Sequence, residues 1–113
     1  MFVSIQEVPK IAREFLAEII LPRATTPLMQ FSIGFAMPYV DDAIQMRLAV
    51  VQPQLLMLGV IDTSGKVNLD KAKEAALQAL EKAGGKLPIA NYTADRDDLE
   101  DLFKIAQRHA TNE

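Results

Sequence analysis

The chain has 113 residues, a net charge of −3 at pH 7 and no cysteine. This acidic balance argues against nucleic acid or an anionic membrane surface as a general partner, since both favour a basic protein surface. The lack of cysteine excludes disulfides, thiol catalysis and cysteine-ligated zinc. Half of the residues are hydrophobic and 24% are charged, a composition typical of a folded globular domain.

The length predicts a single domain over residues 1–113, within which the composition changes twice. Residues 1–26 predict an N-terminal helix, residues 27–61 an apolar group of central helices, and residues 62–113 a charged helix-turn-helix shell. The N-terminal sequence MFVSIQEVPK lacks the basic start and apolar run of a secretory signal. Prolines and polar residues interrupt the two longest uncharged runs, residues 24–40 and 48–61, so we expect a soluble protein without a membrane span. The lack of cysteine is compatible with a reducing cytoplasm, which is the location we expect.

The first helix is indicated by capping and by periodicity. Ser4 and Glu7 have the spacing of a capping box, and Pro9 suits a first helical turn, where its missing N–H costs little. Pro22 is expected to end the helix. The residues predicted on its buried face are Val8, Ile11, Ala12, Phe15 and Ile19.

The segment QFSIGFAM, residues 30–37, fits two structures. Its apolar residues alternate with small or polar ones, which is typical of a strand. However, Thr26 and Pro27 form a good N-cap and first helical residue, and Leu28, Phe31 and Phe35 share a helical face. We favour a helix because no second alternating run is present to pair with a strand, but the choice for residues 29–37 stays open.

A further helix is predicted over residues 41–58. Its apolar residues recur at steps of four and three, which is the spacing of helix packing. Pro53 predicts either a kink or the start of a second short helix. The residues at this spacing are Ile44, Leu48, Val51, Leu55 and Leu58.

Two C-terminal helices follow, with clear local signals. Asn68 or Asp70 can cap the sequence LDKAKEAALQALEKAGG, and Gly84-Gly85 supplies the left-handed conformation that ends a helix. The last helix is expected to begin near Thr93 or Asp95, where an acidic run favours the helix dipole. Between the central segment and these helices, residues 62–65 predict a tight turn closed by Gly65.

The same turn has the outline of an EF-hand calcium loop. With Gly65 at loop position 6, Asp62 and Ser64 fall on ligand positions and Val67 on the apolar position 8. Val60 and Lys71 then occupy positions 1 and 12, where calcium requires its strongest carboxylates. We therefore expect at most a degenerate EF-hand-like structural domain without calcium, and no metal or cofactor.

The predicted fold is mainly α, with four to five helices in a small orthogonal bundle and a short two-stranded β ribbon around Val67 and Ile89. Pro88 holds residues 86–89 out of a helix, so Val60-Ile61 or Lys66-Val67 could pair with Leu87 or Ile89.

We expect no enzymatic activity, because no catalytic motif is present and no two titratable groups form an obvious pair. His109, the only histidine, is predicted to be exposed at a helix end before the polar tail Thr111–Glu113. The acidic residues 95–101 are interpreted as a solvated helix N-terminus.

The feature that suggests a function is the apolar central segment. Nineteen of the 35 residues in 27–61 are Leu, Met, Phe, Ile, Val or Tyr, which is more than a chain this short is expected to bury. We therefore predict a non-enzymatic protein-protein interaction or self-assembly module, either a homo-oligomer or bound to a protein partner. An alternative is a small-ligand-binding domain with an apolar pocket and Tyr39, Asp41 or Arg47 as its polar handle. The predicted interface residues are Phe31, Phe35, Met37, Tyr39, Leu56 and Met57.

Overall fold

A computed structural model describes residues 1–89 and 91–111. It confirms a mainly α fold with short antiparallel ribbons. The elements in chain order are β1 (Phe2–Ser4), a 3₁₀ turn (Ile5–Glu7), α1 (Val8–Phe15), a π turn (Leu16–Ile20), α2 (Leu21–Arg23), α3 (Pro27–Ala36), a 3₁₀ turn (Met37–Tyr39), α4 (Val40–Met57), β2 (Lys66–Asn68), α5 (Leu69–Lys82), β3 (Leu87–Ile89), β4 (Tyr92–Ala94) and α6 (Arg96–Gln107).

The N-terminal helix is longer and less regular than its sequence predicts. It runs on from α1 through the π turn into α2, so that Pro22 lies inside the last turn and the helix ends at Arg23. A π turn carries one extra residue and rotates the following side chains. For this reason Ile20 is completely buried, while the predicted Ile19 is only partly buried.

The ambiguous segment 30–37 is helical. Thr26 accepts a hydrogen bond from the backbone N–H of Met29 at 3.2 Å, and Pro27 is the first residue of α3. A 3₁₀ turn leads directly from α3 into α4, which continues through Pro53 to Met57 without a second start. The two helices follow each other end to end and do not fold back on each other.

The predicted pairing of Val67 with Ile89 is wrong, because the two residues lie in separate sheets. β1 pairs antiparallel with β2, placing Val3 opposite Val67, while β3 pairs with β4, placing Ile89 opposite Tyr92. Val3 and Val67 both point into the core, so each strand of the β1–β2 pair contributes a buried apolar side chain. The sequence LPI has a nearer partner in YTA, only a few residues later in the chain.

The core lies where the N-terminal helix, β1, β2 and α6 meet. α1 packs against both α4 and α6, and α5 packs against α6. Residues 62–113 are therefore more than a charged shell, since α6 contributes fully enclosed side chains. The buried apolar cluster includes Val3, Ile11, Phe15, Ile20, Ile33, Val60, Ile61, Val67, Leu69, Phe103, Ile105 and Ala106.

Local capping signals place the C-terminal helices. Asn68 accepts hydrogen bonds from the N–H groups of Asp70 and Lys71, at 3.1 and 3.2 Å, and so caps α5. Asp95 and Asp98 form a reciprocal capping box at the start of α6. Gly84 and Gly85 adopt positive φ at the end of α5, as predicted.

Candidate functional site: an exposed apolar face

A row of apolar side chains runs along the outside of α3 and α4, and we call it the outer stripe. Its members recur at steps of three or four residues, so they share one helical face. Each of them is exposed, and the seven large ones have 60–88% of their surface accessible. The outer stripe consists of Leu28, Phe31, Phe35, Tyr39, Ala43, Met46, Val50, Pro53 and Met57.

Three aromatic rings form the first half of the outer stripe. The ring centroids of Phe31 and Phe35 are 6.1 Å apart, and those of Phe35 and Tyr39 are 5.9 Å apart. These distances are typical of interacting aromatic pairs. The contact between Phe35 and Tyr39 bridges α3 and the turn before α4, so the stripe is continuous across the bend.

The opposite face of α4 is also apolar, and it packs on the body of the protein. On this inner face Val40 is buried. Four further residues are partly buried between α4 and the rest of the protein: Ile44, Leu48, Val51 and Leu55. α4 therefore has two apolar faces, of which one is covered by the chain itself and the other is not. A helix that is apolar on opposite sides is normally buried on both.

The predicted interface residues separate into three groups. Phe31, Phe35, Tyr39 and Met57 belong to the outer stripe, and Leu56 lies beside it with 39% of its surface accessible. Met37 does not join them. It is partly buried on the inner side, next to α1 residues around a shallow depression.

The three candidates for a polar handle of a ligand pocket do not converge. Asp41 forms an ion pair with Arg13, with 2.8 Å between Oδ1 and Nε. Tyr39 lies on the outer stripe and Arg47 is exposed on its flank. None of the three lines the apolar cavity beneath α4.

The acidic N-terminus of α6 contains a buried charge that the sequence did not indicate. Asp98 is only 2% exposed. Its carboxylate accepts hydrogen bonds from Arg23, from the Tyr92 hydroxyl at 3.0 Å and from the Asp95 backbone N–H at 3.1 Å. Arg23 also contacts Asp101, with 2.5 Å between Nη2 and Oδ2. The expectation of a solvated acidic run is therefore wrong for Asp98.

These contacts shift three pKa values. Burial raises the pKa of Asp98, but hydrogen bonds from the Asp95 backbone, Arg23 and Tyr92 outweigh it and bring the pKa below its ordinary value. Burial, together with the hydrogen bond to Asp98, raises the pKa of Tyr92. The hydrogen bonds to Asp101 and Asp98 raise the pKa of Arg23. The cluster thus holds a charged carboxylate that ties the N-terminal helix to α6.

His109 is also placed differently from its prediction. Its side chain is 13% exposed and lies between two carboxylates of the N-terminal helical region. The distances are 2.6 Å from Nε2 to Glu14 and 3.2 Å from Nδ1 to Glu7. Beyond it, Thr111 exchanges two backbone hydrogen bonds with Phe2. Of the predicted polar tail only Thr111 is among the described residues, and it is anchored.

The turn with the outline of a calcium loop uses its carboxylate within the loop. Asp62 Oδ1 accepts hydrogen bonds from the N–H groups of Ser64 and Lys66, each at 2.9 Å, and from the Ser64 hydroxyl at 2.6 Å. The Ser64 hydroxyl and the Lys66 N–H lower the pKa of Asp62. Gly65 has φ of +83°, as the predicted turn requires. These contacts support a structural role for the loop.

No family model, curated protein or solved structure matches this chain. Within residues 1–89 and 91–111, none of the helices is both long enough and apolar enough to cross a lipid bilayer.

Proposed function

We propose that the chain is a non-enzymatic self-association module in which the outer stripe of one copy packs against the same stripe of a second copy. The observation that carries this proposal is an uninterrupted, exposed apolar face along two consecutive helices. The polar clusters around Asp98 and His109 support a non-enzymatic function. The contacts within each cluster hold distant parts of the chain together, so these buried polar groups have a structural role.

The size of the apolar face supports association. An aromatic side chain carries about 150–250 Å² of surface, so three rings that are about two-thirds exposed present roughly 300–500 Å². Leu28, Met46, Val50 and Met57 extend this area beyond the roughly 300–600 Å² of the largest patch on a typical monomer. A standard interface buries about 800 Å² per partner, which the outer stripe and its flanks can supply.

The spacing of the residues along the outer stripe favours another helix as its partner surface. Steps of three and four residues are the pattern by which one helix packs its side chains between those of another helix. A second copy of this chain offers a helix with the same spacing, the same length and the same apolar surface. A closed dimer would then bury both stripes at once.

Two charged residues favour a parallel arrangement. Asp42 and Arg47 lie on opposite flanks of the stripe in α4, and neither has a hydrogen-bond or ion-pair partner within the described part of the chain. In a parallel pair of helices in register, residues five positions apart on opposite flanks face each other across the interface. Each Asp42 would then meet Arg47 of the second copy, whereas an antiparallel pair brings like flanks together.

The proposal is tested by replacing stripe residues and measuring mass by sedimentation equilibrium. We expect Phe35→Ser/Val50→Ser to convert a dimer into a monomer, because two polar side chains then interrupt the buried face. The matched control is Gln45→Ser/Gln52→Ser, which changes two exposed residues of α4 outside the stripe. Equal masses for the two variants would contradict the proposed interface, and a wild-type monomer at micromolar concentration would contradict self-association.

The parallel orientation of the two helices is tested separately by cysteine cross-linking. The chain has no native cysteine, so only the introduced thiols can form a disulfide. Ala43→Cys, Val50→Cys and Met57→Cys are made as single variants. A parallel pair in register allows each of them to form a disulfide with its own copy. An antiparallel pair would cross-link at no more than one of these positions alone.

A further inference from the structure

Beneath α4 lies an apolar cavity of about 290 Å³ that is separate from the outer stripe. Its walls come from α1, α4, β1, β2, α5 and α6, so it lies at the meeting point of the main elements. The buried side includes Val3, Ile11 and Val67, and the α4 side includes Leu48 and Leu55. None of the lining residues in the described part of the chain is exposed.

The chemistry of the wall is uniform. Among the residues that the structure describes, every one that lines the cavity is Val, Ile, Leu, Phe or Ala, and these residues present no polar surface to it. Three of its members, Ala12, Ala72 and Ala106, carry only a methyl group, which leaves space where larger side chains would meet. Protein interiors normally fill such space, because atoms that face a void lose their dispersion contacts.

We propose that this cavity is a binding site for a small uncharged hydrocarbon-like molecule, of about the size of an alkylbenzene. An apolar cavity of roughly half this volume, about 150 Å³, is known to stay dry and to accept benzene. A ligand with a charge or a buried hydroxyl would lose its hydration without finding a hydrogen-bond partner in the wall. This site is on the inner side of α4 and does not depend on the proposed dimer.

The α4 side is the route of access that the burial pattern favours. The α4 residues of the wall, Ile44, Leu48 and Leu55, are only partly buried, whereas Val3 and Val67 on the β ribbon are fully enclosed.

The test uses toluene and phenol as matched probes of similar shape. Each is titrated into the full chain while amide and methyl NMR signals are followed, and thermal unfolding is measured at the same concentrations. We expect toluene to bind saturably, to shift the methyl signals of the wall and to raise Tm, since a ligand of the folded state stabilises it. Phenol should bind at least about fivefold more weakly, because its hydroxyl is left without a partner.

Two substitutions fill the cavity from different walls: Ala12→Leu on α1 and Ala72→Leu on α5. Each should abolish toluene binding while the NMR spectrum stays that of a folded protein, and the second variant serves if the first does not fold. Phe35→Ser on the outer stripe is the control and should keep wild-type affinity for toluene. Any one of four results would overturn the proposal. Toluene does not bind saturably, or phenol binds with equal affinity. Alternatively, toluene still binds a folded variant with a filled cavity, or it no longer binds Phe35→Ser.

Discussion

At the scale of single residues, the polar contacts that hold this fold together join the two ends of the chain. Arg23 meets Asp98 across 75 positions of sequence, and Glu14 meets His109 across 95. A buried carboxylate is tolerated only when its charge is compensated by hydrogen bonds and an opposite charge. Asp98 has both, so we assign it a structural role.

Replacing Asp98 by Ala should therefore be costly. The change removes the ion pair with Arg23, the acceptor of the Asp95 backbone N–H at the start of α6 and the partner of the Tyr92 hydroxyl. We expect the free energy of unfolding to fall by about 2–4 kcal/mol, measured by urea denaturation. Asp97→Ala, in the same turn but exposed, is the control and should change it by less than about 0.5 kcal/mol. Similar losses for both variants would contradict the assignment.

The lowered pKa of Asp98 predicts how this difference depends on pH. As pH falls, the unfolded chain takes up the proton at a higher pH than the folded protein does, so the contribution is complete above about pH 4 and is lost below it. The difference in the free energy of unfolding between wild type and Asp98→Ala should narrow as the pH falls below about 4. Asp62 and Glu100 also have lowered pKa values. Wild type and Asp98→Ala both contain these two residues, so their contributions cancel in the difference. A gap that widens on acidification would contradict this sign.

His109 is expected to anchor the C-terminal end of the chain. Its replacement by Ala removes the contacts with Glu7 and Glu14, so the backbone pairing of Phe2 with Thr111 should open more often. We expect amide exchange at these two residues to become about tenfold faster. Gln107→Ala, exposed at the end of α6, is the control and should leave the exchange unchanged. Unchanged exchange in His109→Ala would assign the anchoring to Arg108, which contacts Glu18.

At the scale of elements, local signals in the sequence predicted the ends of helices better than the partners of strands. Thr26, Asn68 and Asp95 cap helices in the structure because a cap needs only neighbours within three residues. The partner of Val67 depends instead on which distant strand reaches it in the folded chain. Phe2–Ser4 is too short to show an alternating pattern, so the pairing of β1 with β2 could not be predicted.

The two faces of α4 should respond differently to the loss of an apolar side chain. Leu48→Ala, on the inner face, should lower the free energy of unfolding by about 1–3 kcal/mol and leave association intact. Val50→Ala, two residues later on the outer stripe, should weaken association and change the stability of the isolated subunit by less than about 0.5 kcal/mol. Denaturation and sedimentation on the same samples separate the two effects. A weaker dimer in Leu48→Ala alone would reverse the assignment of faces.

At the scale of the whole molecule, the composition indicated an excess of apolar residues in 27–61. In the folded chain many of these side chains are exposed on the surface. Which residues are left out could not be predicted from composition. Residues on both faces of α4 recur at three and four positions, so periodicity alone does not tell the inner face from the outer one. The choice follows from the packing of α1 against α4, which covers Leu48 and leaves Val50 exposed.

The most direct test of the central claim is the mass of the wild-type chain in solution, measured by sedimentation equilibrium at micromolar concentration. A chain of 12.5 kDa that pairs through the outer stripe should sediment with twice that mass, and dilution should shift it towards the monomer. A constant mass of 12.5 kDa, together with no binding of a hydrophobic dye, would contradict the claim that this face is built for association.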